Sequence, residues 1–203
     1  MLDPAALSLV AITDDLRDGV VGLVARAAAA ARGGATMVQL RLKHASGREL
    51  VEVARRLVEA LPVPVVVNDR ADVALAAGAA GVHLGVDDLP VAAVRAIAPP
   101  AFIVGASFGS EAELTHARGA DYVGIGPVYA TLSKPDAGDA IGIAGFARLR
   151  SIGGLPALAI GGITAENVAP LHAAGAAGVA VIRTVFGADD PEAAARALRR
   201  AFG

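Results

Sequence analysis

Short apolar runs rich in β-branched residues recur along the whole chain: LSLVAI (7–12), TMVQL (36–40), VPVVV (63–67), GVHL (81–84), FIVGA (102–106), YVGIG (122–126), ALAI (157–160) and GVAVI (178–182). Their length and composition predict strands, and their near-continuous hydrophobicity predicts strands covered on both faces. Between them lie segments of helical composition: GLVARAAAAARGG, ELVEVARRLVEAL, DVALAAGAA, VAAVRAIA, EAELTHARG, IAGFARLRSI, AENVAPLHAAGA and DPEAAARALRRAF. Strands alternating with helices predict parallel βαβ units. Eight such pairs in 203 residues predict an α/β fold closed as a single (β/α)8 TIM barrel, one domain over 1–203, rather than an open doubly wound sheet. The pairs Ala77-Gly78, Ala80-Gly81, Ala174-Gly175 and Ala177-Gly178 are read as helix ends with glycine caps.

Composition narrows the function classes. Hydrophobic residues make up 55% and charged residues 19%, which excludes disorder. A net charge of −2, no basic run and 3% aromatics leave nothing for a nucleic-acid interface. The absence of cysteine excludes disulfides, thiolate catalysis and Cys-ligated zinc. The opening MLDPAALSLVAITDD has no basic stretch before its apolar run and does not read as a signal peptide, and no apolar run reaches membrane-spanning length. The expectation is a cytoplasmic protein that handles small molecules, with self-association into a homo-oligomer left open.

In such a barrel the chemistry gathers at the C-terminal ends of the strands. Here almost every strand end is too polar to be core. Strand 2 runs into Gln39, Arg41 and Lys43; strand 3 ends in Asn68-Asp69; strand 4 leads to Asp87-Asp88; strand 5 meets Ser107. Strand 6 enters GPVYATLSKPDAG (126–138), with Thr131, Ser133 and Lys134, where hydroxyls and an ammonium suit a phosphate. Strand 7 ends in Gly161-Gly162 and strand 8 in Ile182-Arg183.

Each piece has a plainer alternative. Gln39, Arg41 and Lys43 share one face if QLRLK is extended, which suits a polyphosphate or simply a solvated strand. Asn68 or Asp69 could cap the third helix, and Asp88 the helix near Pro90. Read together, Asp69 and Asp88 set two hard carboxylates at adjacent strand ends, the donor set of a Mg²⁺ shared with substrate phosphates. GGIT followed by ENV reads as a helix start, capped by Thr164, whose backbone N–H groups could hold a phosphate, or as a plain turn. Lys134 could be a solvated turn residue. His83 is read as packing, and His44, His116 and His172 as surface.

VQLRLK, VNDRADVALAAGAAGVHLGVDDLP, GADYVGIGPVYATLSKPDA, AIGGITAENV and GVAVIRTVF together resemble the thiamine phosphate synthases, also called thiamine-phosphate pyrophosphorylases, over residues 9–186. The resemblance implies a transferase that joins hydroxymethylpyrimidine diphosphate to a thiazole phosphate and releases pyrophosphate. It implies Mg²⁺ on Asp69 and Asp88. It also implies Gln39, Leu40, Arg41, Leu42, Lys43, Asn68, Ser107 and Lys134 around the pyrimidine diphosphate, with Arg41, Lys43, Ser107 and Lys134 in catalytic roles. Thr131, Leu132, Ser133, Gly162, Ile182 and Arg183 would contact the thiazole phosphate.

The chain departs from the family pattern at a few positions. An acidic residue is usual at Leu42, Gln at Val86, a polar residue near Phe108, and Ser at Arg183. The related thiazole tautomerases share the barrel but lack the paired aspartates and carry a His where Pro127 stands, so they are the second reading. A non-catalytic binder of thiamine precursors is the third.

Overall fold

The strand runs begin to pair where backbone partners are available on both sides. In the computed structural model, which describes residues 2–131, 133 and 138–203, they form β1 (Leu9–Ile12), β2 (Met37–Leu40), β3 (Val65–Asn68), β4 (Gly81–Leu84), β5 (Ile103–Ser107), β6 (Tyr122–Ile125), β7 (Ala157–Ile160) and β8 (Gly178–Val181). Each is parallel to the next, and β8 pairs with β1, so the sheet closes and the open-sheet alternative falls. The helices are α1 (Gly19–Arg32), α2 (Gly47–Ala60), α3 (Ala71–Ala77), α4 (Val91–Ile97), α5 (Gly142–Gly153), α6 (Ala169–Ala173), α7 (Arg183–Phe186) and α8 (Pro191–Phe202).

Alternation along the strands sorts side chains into two layers. Val10, Ile12, Met37, Val66, Tyr122, Leu158 and Ala180 pack with one another inside the barrel. Their neighbours Leu9, Ala11, Val38, Leu40, Val65 and Val67 point outward against the helices. There they meet Leu23, Ala27 and Ala30 of α1 and Leu50, Val53, Ala54 and Leu57 of α2, which recur at helical spacing. Each fully buried Leu or Val contributes about 2 kcal/mol.

The fifth helical segment does not become an α-helix. Glu111–Thr115 is a 3-10 turn. The Glu113 carboxylate turns back onto the Gly109 N–H (2.7 Å) and the Ser110 hydroxyl (3.0 Å), and Gly119, at φ +84°, ends the segment. Gly78 (φ +69°) caps α3 as expected, but Gly81 and Gly178 open strands instead. A Cβ at Gly81 would overlap the Ile103 carbonyl, and one at Gly178 the Leu7 carbonyl, so these two glycines permit close backbone approach.

Candidate active site

The inward-facing positions at the C-terminal rim divide the barrel mouth in two. On β2 to β5 they are Gln39, Asn68, His83 and Ser107, each following an inward residue two places earlier. On β6 to β8 they are Gly124, Ile160 and, just beyond β8, Ile182. Four consecutive strands therefore present polar side chains, and the remaining ones glycine or aliphatic surface.

Gln39 is only 4% exposed, and Leu40 points the other way into the outer core. The QLRLK stretch is not one extended face, because β2 stops at Leu40. The cause is Thr13, fully buried, whose N–H donates to the Gln39 carbonyl (2.9 Å). Its hydroxyl accepts the Arg41 N–H (2.8 Å) and donates to the Arg41 carbonyl (3.0 Å). Arg41 is half-buried, Leu42 packs on the core and Lys43 is exposed.

Asp69 and Asp88 are not helix caps. The residue before α3 is Arg70, which makes no side-chain cap bond and instead grips Asp72 with two hydrogen bonds (2.8 and 2.5 Å). Pro90 precedes α4. Asp69 sits in the left-handed region at φ +65°, its N–H donating to the His83 carbonyl (2.8 Å), with its side chain exposed. That left-handed backbone, uncommon outside glycine but tolerated by Asp, turns the chain sharply at the end of β3. Asp88 is half-buried, and its Oδ2 accepts the Gly85 N–H (2.6 Å), folding the loop back over the end of β4. The carboxylates thus follow neighbouring paired strands.

The other half of the mouth is built from backbone. Gly161 (φ +99°) and Gly162 (φ +63°) need glycine twice over, since a Cβ would overlap Pro127 at the first and Tyr129 and Ala130 at the second. GGIT does not start a helix; α6 begins at Ala169. Asn167 stitches a turn instead, its Oδ1 accepting the Thr164 N–H (2.8 Å) and its Nδ2 donating to the Gly162 carbonyl (2.9 Å). Tyr129 donates its hydroxyl to the Asn167 carbonyl (2.8 Å), and Thr184 to that of Ile163 (2.5 Å). The Thr164 hydroxyl holds the Glu166 carboxyl below the usual carboxylate range. Thr131 is half-buried and accepts the Ser133 N–H (3.2 Å); Leu132 and Lys134 lie outside the described residues.

Three features were not read from the pattern. Helix α7 follows Ile182 directly, so Arg183 begins a helical turn. Arg26, 9% exposed, reaches across to it, donating to the Phe186 carbonyl (3.2 Å), Asp14 (3.1 Å) and the Asp15 carbonyl (3.0 Å). The only hint of it is a lone arginine in an alanine-rich helix face. His83 is not mere packing: its ring nitrogens approach the Tyr122 hydroxyl (3.2 Å) and the Ser107 hydroxyl (3.4 Å). Phe108 is fully buried beside Gly153, so it belongs to the barrel–helix layer, whereas Val86 is 48% exposed.

Comparison with known proteins places this geometry. The family described as thiamine monophosphate synthase matches residues 9–185. The thiamine-phosphate synthase of Methanoculleus marisnigri is 53% identical over 175 residues, covering 84% of this chain and 83% of that one. That of Azorhizobium caulinodans is 48% identical over 204 residues, covering 98% and 96%. The solved thiamine phosphate pyrophosphorylase from Pyrococcus furiosus is similar at TM-score 0.87 and 38% identity, covering 98% of this chain and 96% of that one. A 3-hexulose-6-phosphate synthase, at 23% identity and TM-score 0.71 over 97% of this chain and 100% of that one, shares the fold. The chain belongs to the thiamine monophosphate synthase family, and is a transferase.

Proposed function

We propose that residues 1–203, acting as one domain, join hydroxymethylpyrimidine diphosphate to a thiazole phosphate, carboxylated or not, giving thiamine phosphate and pyrophosphate. The observation that carries this reading is the divided mouth: polar side chains on β2 to β5, glycine backbone and aliphatic surface after β6 to β8. A diphosphate needs charge and donors, whereas an apolar ring bearing a spectator phosphate needs a dry wall and backbone N–H groups.

In the reaction the bond between the pyrimidine methylene carbon and the diphosphate oxygen breaks. The electron pair leaves with pyrophosphate, the aminopyrimidine ring spreads the positive charge, and the thiazole nitrogen forms the new C–N bond. Gln39 and Asn68 orient the pyrimidine diphosphate, and Arg41, Lys43 and Lys134 compensate charge as it grows on the leaving oxygen. The Ser107 hydroxyl donates to the diphosphate, while Gly162, Thr131 and the Ile182–Arg183 backbone seat the thiazole phosphate. No acid or nucleophile from the protein is required; its work is orientation and electrostatics.

Asp69 and Asp88 would hold Mg²⁺, which when bound supplies charge neutralisation at the diphosphate oxygens. The donor set fits: two hard carboxylates follow adjacent paired strands, which suits a hard cation that takes its remaining oxygens from substrate and water. No described helix is long and apolar enough to cross a membrane. The charged precursors do not cross membranes unaided, which supports a cytoplasmic setting.

The test is a coupling assay with both phosphorylated precursors and Mg²⁺, following thiamine phosphate directly. Product should form in equal amount with pyrophosphate and only when both precursors are present. A folded protein that forms none would overturn the reading.

A further inference from the structure

Inside the barrel, three register partners on adjacent strands form one row: His83 on β4, Gly105 on β5 and Tyr122 on β6. The next row pairs Ser107 with Gly124. A Cβ at Gly105 would overlap the Tyr122 ring, and one at Gly124 would lie 3.2 Å from the His83 ring. Two glycines therefore clear the space through which the phenol leans to the imidazole and the imidazole rises to the serine. The row is a built polar path from the barrel interior to the polar half of the mouth.

We propose that Tyr122 and His83 act as positioning residues that fix the Ser107 hydroxyl for the diphosphate. Tyr122 is fully buried, and among the described residues the partner of its hydroxyl is His83 Nδ1. A buried phenol that accepted from the ring would leave its own proton without an acceptor, so it donates to Nδ1. Burial also pushes the phenol far above its ordinary acidity range, keeping that proton in place. With Nδ1 accepting, the ring proton sits on Nε2 and is donated to Ser107 Oγ (3.4 Å). With its oxygen accepting from below, the serine hydroxyl has its proton aimed at the mouth, where an anionic oxygen can take it.

This rests on the proposed contact between Ser107 and the diphosphate, and the test separates the two. His83→Gln places an amide NH₂ where Nε2 lies, while His83→Asn reaches only the Nδ1 position. His83→Asn and Tyr122→Phe should each lower kcat/KM for the pyrimidine diphosphate about tenfold, leave KM for the thiazole phosphate unchanged, and cost nothing further in a Ser107→Ala background. His83→Gln should recover most of the loss. Additive losses in the Ser107→Ala background, or equal losses for Gln and Asn, would overturn the proposal. Nitrogen NMR of the His83 ring gives a readout independent of turnover: Nδ1 should be the unprotonated, accepting nitrogen, and the opposite tautomer overturns the relay. If Ser107→Ala alone costs nothing, the diphosphate contact fails instead, while the NMR result still decides the relay.

Discussion

Asp88 uses one carboxylate oxygen to hold the Gly85 N–H, and an asparagine can offer the same acceptor. Asp88→Asn should therefore keep the loop while losing the charge, and Asp69→Asn loses charge from an exposed side chain. Each is expected to raise the Mg²⁺ needed for half-maximal turnover by roughly tenfold, with thermal unfolding near that of the wild type. Metal titrations that overlay the wild type would remove both residues from the metal assignment. In the stretch GPVYATLSKPDAG, Lys134 and Thr131 should behave differently. Lys134→Ala should lower kcat by roughly 100-fold, because the charge it meets grows in the transition state. Thr131→Val should mainly raise KM for the thiazole phosphate, since a spectator phosphate is bound alike in ground and transition states. Steady-state kinetics with each substrate varied separately checks both. These polar strand ends were legible in the sequence because nothing apolar explains them. His83 was misread because a histidine in an apolar run looks the same whether it packs or relays; only the register beside Gly105 and Tyr122 tells them apart.

Element boundaries show where local signals suffice and where they do not. Helix α2 is marked locally: Ser46 accepts the Glu49 N–H while the Glu49 carboxylate accepts the Ser46 N–H (2.8 Å). The Ser46 hydroxyl, which donates to the same carboxylate (2.7 Å), and then the Ser46 N–H hold the Glu49 carboxyl below its ordinary value of 4.5. The stability it lends is present above that value and is lost as pH falls through the lowered one. Ser46→Ala should therefore narrow its stability gap from the wild type as pH drops below 4.5, a trend that denaturant midpoints across pH would show. Helix α7 carried no such local mark. Its end is held by Arg17 (2.6 Å) and Arg26 (3.2 Å) donating to the Phe186 carbonyl, residues far away in the chain. Arg26→Met removes one clamp and leaves the half-buried Asp14 with Arg17 (3.5 Å) and the Asp15 N–H (2.8 Å) as partners, and should cost about 2 kcal/mol. It should also raise KM for the thiazole phosphate by loosening the backbone after β8; an unchanged KM would mean that α7 does not need this clamp.

On the scale of the whole molecule, the alternation of strand and helix was enough to read a closed parallel barrel, because buried strands with both faces covered leave few other solutions. Two of the four Ala-Gly pairs were misread for a reason that local patterning cannot capture. Gly81 and Gly178 answer to a carbonyl on a neighbouring segment, not to a helix end. Gly178→Ala should thus disturb the seam where β8 meets β1 and cost about 3 kcal/mol in urea unfolding; a midpoint within error of the wild type would mean the seam can give way. The division of the mouth has a consequence for ionic conditions. The proposed attraction between a diphosphate and the side chains of Arg41 and Lys43 would act between full charges in partly exposed surroundings, and mobile ions screen such charges over a length of about 10 Å at 0.1 M salt and less as salt rises. Short hydrogen bonds from glycine backbone to a phosphate involve no mobile charged side chain and are less easily screened. Raising salt should therefore lift KM for the diphosphate steeply and KM for the thiazole phosphate little, so that ionic strength alone makes one substrate limiting before the other.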